Sequence, residues 1–90
     1  MVTYSIHFDN GKEYLICGEN IREAVKENIK YIEKLMEGCA IKRWTTEPTG
    51  EKQYKLTVEY YDRTPYQVKR LKNKPQTLFI DYVVNVVDED

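Results

Sequence analysis

The chain has 90 residues, 41% hydrophobic and 32% charged, with 14 basic against 15 acidic side chains and a formal net charge of −1. That length supports one domain, residues 1–90, built on one core, and the mix of apolar and charged residues excludes a disordered chain. Charges that nearly cancel argue against coating nucleic acid through bulk charge, and no apolar run approaches the roughly 18 residues of a membrane span.

No basic-then-apolar leader opens the chain, so the expected setting is cytoplasmic. There Cys17 and Cys39, which form no Cys-x-x-Cys, are expected to be reduced and buried as ordinary thiols.

Val2, Tyr4, Ile6 and Phe8 alternate with Thr3, Ser5 and His7, which predicts a half-buried strand. Asn10-Gly11 predicts a two-residue hairpin turn into a return strand over 13–17. That loop sets Asp9 against Lys12, Ile6 against Leu15 and Tyr4 against Cys17. Asn20 with Glu23 predicts a capped helix. Its buried stripe is Ile21, Val25, Ile29, Ile32 and Met36, its solvated stripe carries residues such as Arg22, Lys26 and Glu33, and Gly38 ends it. Strands over 39–46 and 52–61, joined by the turn-forming Glu47-Pro48-Thr49-Gly50-Glu51, predict a second hairpin. Thr64 as N-cap and Pro65 at the first helical position predict a short helix docked by Val68 and Leu71. The last strand, 77–87, is apolar on both faces and so is expected near the centre of its sheet. Asp88-Glu89-Asp90 reads as a frayed acidic tail.

The element order is β-β-α-β-β-α-β. Without its first strand this is the ferredoxin-like order, but the second strand would then be interior and could not also close a hairpin with the first. The order therefore predicts an α+β fold: a mainly antiparallel five-stranded sheet with one long and one short helix packed on one face.

Catalytic chemistry finds little support. The single histidine, His7, lies mid-strand; in the register above it stands beside Tyr14, with Cys17 on the other side of its strand. No Gly-x-Ser-x-Gly, phosphate-cradling glycine loop or His-Glu-x-x-His is present. One histidine and two separated cysteines cannot make a four-ligand metal site. The expectation is a protein with no catalytic residues, no cofactor and no metal.

Two surfaces stand out. One is the basic stretch Arg63, Lys69, Arg70, Lys72 and Lys74, interleaved with Tyr66 and close to Tyr61, a composition that neutralises phosphates and stacks on bases. Its plainer reading is the solvated side of an amphipathic helix. The other is the far face of the sheet, expected to display His7, Tyr14, Ile16, Trp44, Tyr61, Phe79 and Val83. Tyrosine and tryptophan concentrate in interfaces, and monomers rarely leave such a patch bare. A dimer mate or the second helix could equally cover it. The basic-Gly-aromatic signature of RNA-recognition sheets is absent.

The function expected from these features is a small non-catalytic protein-binding module, an adaptor or inhibitor that occludes a protein partner. Phages and mobile elements encode many inhibitors of this build, an analogy of size and composition alone. The alternative is a nucleic-acid binder using Arg43, Trp44 and the 63–74 segment.

Overall fold

The computed structural model describes residues 1–89. Five antiparallel strands form one sheet in the order β2-β1-β5-β4-β3, from β1 (Val2–His7), β2 (Glu13–Gly18), β3 (Ile41–Gly50), β4 (Gln53–Tyr61) and β5 (Thr77–Glu89). The helices are α1 (Ile21–Glu27), α2 (Ile29–Leu35) and α3 (Pro65–Arg70). This is the expected α+β architecture, and the doubly apolar β5 takes the central place between β1 and β4.

The first hairpin forms, but one residue out of the expected register. Its loop holds three residues: the Gly11 amide donates to the Phe8 carbonyl and the Phe8 amide donates to the Lys12 carbonyl, both at 3.0 Å. Gly11, at φ 81°, takes the left-handed position of a turn followed by a bulge. Tyr4 therefore faces Ile16 and Ile6 faces Tyr14, not Cys17 and Leu15. A slip of one residue turns a strand over. Ile16 becomes core, 2% exposed, while Leu15 and Cys17 face solvent. The expected burial of Cys17 is thereby reversed, and Cys17 lies on the same side of the sheet as His7, its Sγ 3.4 Å from Thr3 Oγ1.

Gly18 shows what fixes this phase. A Cβ built there would stand 2.5 Å from the Ala24 backbone nitrogen, so α1 rests directly on the end of β2 and only glycine fits beneath it. Asn20 caps α1, accepting from the Glu23 amide at 2.9 Å. The long helix is divided at Asn28. Its side-chain amide donates to the Ala24 carbonyl at 2.8 Å and its own N–H turns back to Val25, which breaks the i→i−4 ladder before Ile29 restarts it. The buried stripe survives the break, with Ile21, Ala24, Val25, Ile32 and Met36 on Tyr4, Ile6, Ile16, Leu56, Val58, Tyr82 and Val84.

The second hairpin turns later than expected. β3 runs through Pro48 to Gly50, leaving only Glu51 and Lys52 as the loop, and Trp44 faces Val58. Proline is tolerated because β3 is an edge strand. A bulge at Lys42 lets both Ile41 and Trp44 pack on the main core. The short helix α3 carries the expected cap in full: Thr64 Oγ1 accepts from the Gln67 amide and Gln67 Oε1 from the Thr64 amide. It buries Val68 against Ala40 and Tyr61 in a second, smaller cluster, while Leu71 stays exposed. Asp88 and Glu89, expected to fray, pair with Thr3 and Val2; Asp90 lies outside the described residues. No helix among the described residues is long and apolar enough to cross a membrane.

Candidate functional sites

Register decides which side chains reach the uncovered face of the sheet. Of the seven expected there, His7, Phe79 and Val83 are present. Tyr14, Ile16 and Trp44 lie on the helix side, and Tyr61 is 6% exposed beneath α3. Trp44 is half-buried, with the Arg22 guanidinium 5.8 Å from its ring centroid. The aromatic residues instead gather around the core: Phe8 lies against Tyr14 at 5.3 Å and against Tyr82 at 4.5 Å between centroids, and Tyr4 meets Tyr54 edge-on.

The uncovered face is largely a polar lattice. Thr49 Oγ1 donates to Gln53 Oε1, Gln53 Nε2 to Asn85 Oδ1, and the Asn85 amide to His7 Nε2 at 2.8 Å. His7 Nδ1 then faces Glu13 Oε1 at 3.4 Å, and the Ser5 hydroxyl donates to the other oxygen of that carboxylate. Every donor in this chain points toward Glu13, so each bond polarises the next. Ser5, His7 and Glu13 are the residue types of a nucleophilic triad, but the serine proton goes to the carboxylate and the imidazole base site is taken by Asn85. The bonds brace the sheet across all five strands rather than connecting a hydroxyl to its base. Sequence reading missed this lattice because its members are far apart in the chain and the assumed register set His7 beside Tyr14.

A second knot gathers on Glu59, itself only 9% exposed. Its carboxylate accepts from Arg43 Nε at 2.9 Å and from Thr77 Oγ1 at 2.5 Å, with Lys42 Nζ at 3.8 Å. Arg43 is thus paired with Glu59, although its side chain remains exposed. Phe79, directly across from Glu59, projects from the same row and is 68% exposed; Leu15 and Val83 are further exposed apolar side chains on this face.

The basic stretch is exposed throughout. Tyr66 and Arg70 pair across one turn of α3, with Arg70 Nη1 donating to the Tyr66 hydroxyl at 2.7 Å and its guanidinium over the ring. Arg63, Lys69, Lys72 and Lys74 make no ion pair among the described residues.

A cleft of about 280 Å³ opens between the tip of the first hairpin, the C-terminal end of α2, the end of β4 and the middle of β5. Phe8, Tyr60, Tyr82, Leu35 and Met36 supply its apolar walls. The carboxylates of Asp9, Glu37 and Asp62 also line it, and no basic residue does. Burial, then Asp62 and Glu37, push the Cys39 thiol up; burial, then Asp9, Tyr60 and Cys39, push the Tyr82 phenol up to about 12. No group of three or more His, Cys, Asp or Glu among the described residues is arranged to hold a metal ion.

No family model matches the chain, and no curated protein or solved structure matches it. Fold and surfaces define its class: a five-stranded antiparallel α+β domain with α1 and α2 over one sheet face, an internally bonded polar lattice on the other, α3 packed on Ala40 and Tyr61, and an acidic cleft beside the first hairpin.

Proposed function

We propose that this domain is a non-catalytic protein-binding module of the cytoplasm, an adaptor or inhibitor that works by occluding a protein partner. The observation that carries the reading is the uncovered sheet face, where Phe79, Leu15 and Val83 project from polar groups that already satisfy one another. A partner that covers this lattice strips little unpaired polarity of water, while the three apolar side chains gain burial. Phe79 is the candidate anchor, since large aromatic side chains carry a disproportionate share of interface energy.

The test is affinity capture from lysate, with and without nuclease, comparing wild type with Phe79→Thr/Leu15→Thr. Both replacements keep strand propensity at exposed positions, so the melting temperature should hold within a few degrees. Nuclease-resistant capture that the double variant loses supports the reading; capture that survives in a folded double variant refutes it.

A second reading is favoured by one observation, the four cations Arg63, Lys69, Lys72 and Lys74 that stand exposed without carboxylate partners among the described residues, in the same segment as the exposed ring of Tyr66. Such a segment suits a phosphate backbone. It requires retention on heparin at low salt that is abolished by Lys69→Glu/Arg70→Glu/Lys72→Glu. If the wild type is not retained, nucleic-acid binding is finished as an explanation.

A further inference from the structure

The cleft combines features that have no role in holding the fold together. Asp9, Glu37 and Asp62 place three carboxylates around it, and none of the three makes an ion pair or side-chain hydrogen bond among the described residues. At its wall stands Tyr82, only 5% exposed, whose hydroxyl has no hydrogen-bond partner among the described residues. No side-chain oxygen sealed from solvent lacks a partner among the described residues, so this hydroxyl opens on the cleft, where a guest can bond it.

The guest's chemistry follows from the lining. Unpaired carboxylates beside aromatic rings select a cation, because the rings attract positive charge through their faces and the carboxylates accept its hydrogen bonds. A volume of about 280 Å³ sits just under the roughly 300–1,000 Å³ of small-molecule sites, which suits a single side chain better than a nucleotide. Among cations, the planar guanidinium is the better match. It is more weakly hydrated than an ammonium, stacks on an aromatic ring such as Phe8, and carries five donors for three carboxylates and one hydroxyl.

We propose that the cleft formed by Phe8, Asp9, Glu37, Asp62 and Tyr82 receives an arginine side chain presented by a partner protein. Only the source of the arginine rests on the protein-binding reading above. The cleft is separate from the Phe79 face, so a capped amino acid tests it independently.

The experiment titrates the isotopically labelled full chain with acetyl-arginine amide and follows amide shifts by NMR. Saturable shifts centred on Phe8, Cys39 and Tyr82, with a millimolar Kd, are expected. Acetyl-citrulline amide, the neutral isostere, should bind about tenfold more weakly or not at all. Asp9→Asn/Asp62→Asn should weaken arginine binding about tenfold. Tyr82→Phe should weaken it several-fold and leave the rest of the spectrum unchanged, since the hydroxyl it removes supports nothing in the fold. Equal binding of arginine and citrulline overturns the proposal, as does equal binding of capped lysine, full affinity in both variants, or the absence of saturable shifts. Loss of binding in folded Tyr82→Phe together with discrimination against citrulline establishes it.

Discussion

Glu37 takes the position after the end of α2 where glycine is the usual choice. There the following amide, from Gly38, reaches back to the Glu33 carbonyl at 2.9 Å and closes the helix, which requires φ > 0 at residue 37. A side chain pays roughly 1–2 kcal/mol for that conformation, offset in part by the smaller entropy of a non-glycine unfolded chain. Glu37→Gly should therefore stabilise the protein by about 0.5–1 kcal/mol in urea unfolding, with the slope unchanged; a loss of stability would show that the carboxylate itself supports the fold. Tyr82 allows a prediction in pH. Its pKa is near 10 unfolded and about 12 folded, so the folded state favours the neutral phenol. That contribution is fully present below pH 10 and disappears as pH rises toward 12. Urea midpoints at pH 9 and 11 should diverge more for wild type than for Tyr82→Phe; parallel behaviour would mean that Tyr82 ionises as freely in the folded state as in the unfolded.

The helices and strands show where local rules suffice and where they stop. Both helix caps could be read from spacing alone, because a cap is a contact between residues three apart: Asn20 with Glu23, Thr64 with Gln67. Since α3 has six residues and one buried anchor, its cap is a large share of its support. Thr64→Ala should cost about 1 kcal/mol and raise amide exchange across Pro65–Arg70 ahead of the sheet; uniform loss of protection would show that α3 is not a separate unit. The hairpin faces were less legible. β2 is apolar on both sides, with Tyr14 and Ile16 on one and Leu15 and Cys17 on the other, so alternation alone could not choose between them. The sequence held two hints. Glu13 falls in phase with Leu15, which puts a charge on the side assumed to be core, and Gly18 falls in phase with Ile16, where a helix needs a close approach. For β3, the turn-forming residues Glu47-Pro48-Thr49-Gly50-Glu51 predict a break in pairing that does not occur, since β3 pairs through to Gly50. An edge strand imposes no such break.

Across the whole molecule, β5 dominates the shape. Thirteen residues in extended form span about 43 Å, close to the 45 Å long axis, and the radius of gyration of 13.6 Å exceeds the roughly 12 Å expected for 90 residues. The two seven-residue helices α1 and α2 span only about 21 Å between them. They cannot roof the sheet from end to end, and α2 stops at the acidic cleft, which Leu35, Met36 and Glu37 help to line. Hydrogen exchange should follow the same geometry. The slowest amides are expected in the central strands around Ile6, Leu56 and Val84, all 0% exposed, and the fastest at the β3–β4 tip and in residues 71–76. Equal protection of the β3 edge would contradict that ordering. The sequence by itself determined the elements, their order, both caps and the central place of β5, because those rest on periodicity and on contacts within one turn. The tertiary structure alone decided which side of β2 and β3 meets the helices, since that is a question of parity that one loop residue reverses. It alone also brought Asp9, Glu37, Asp62 and Tyr82 to one cleft, because nothing local in the chain links four positions so far apart.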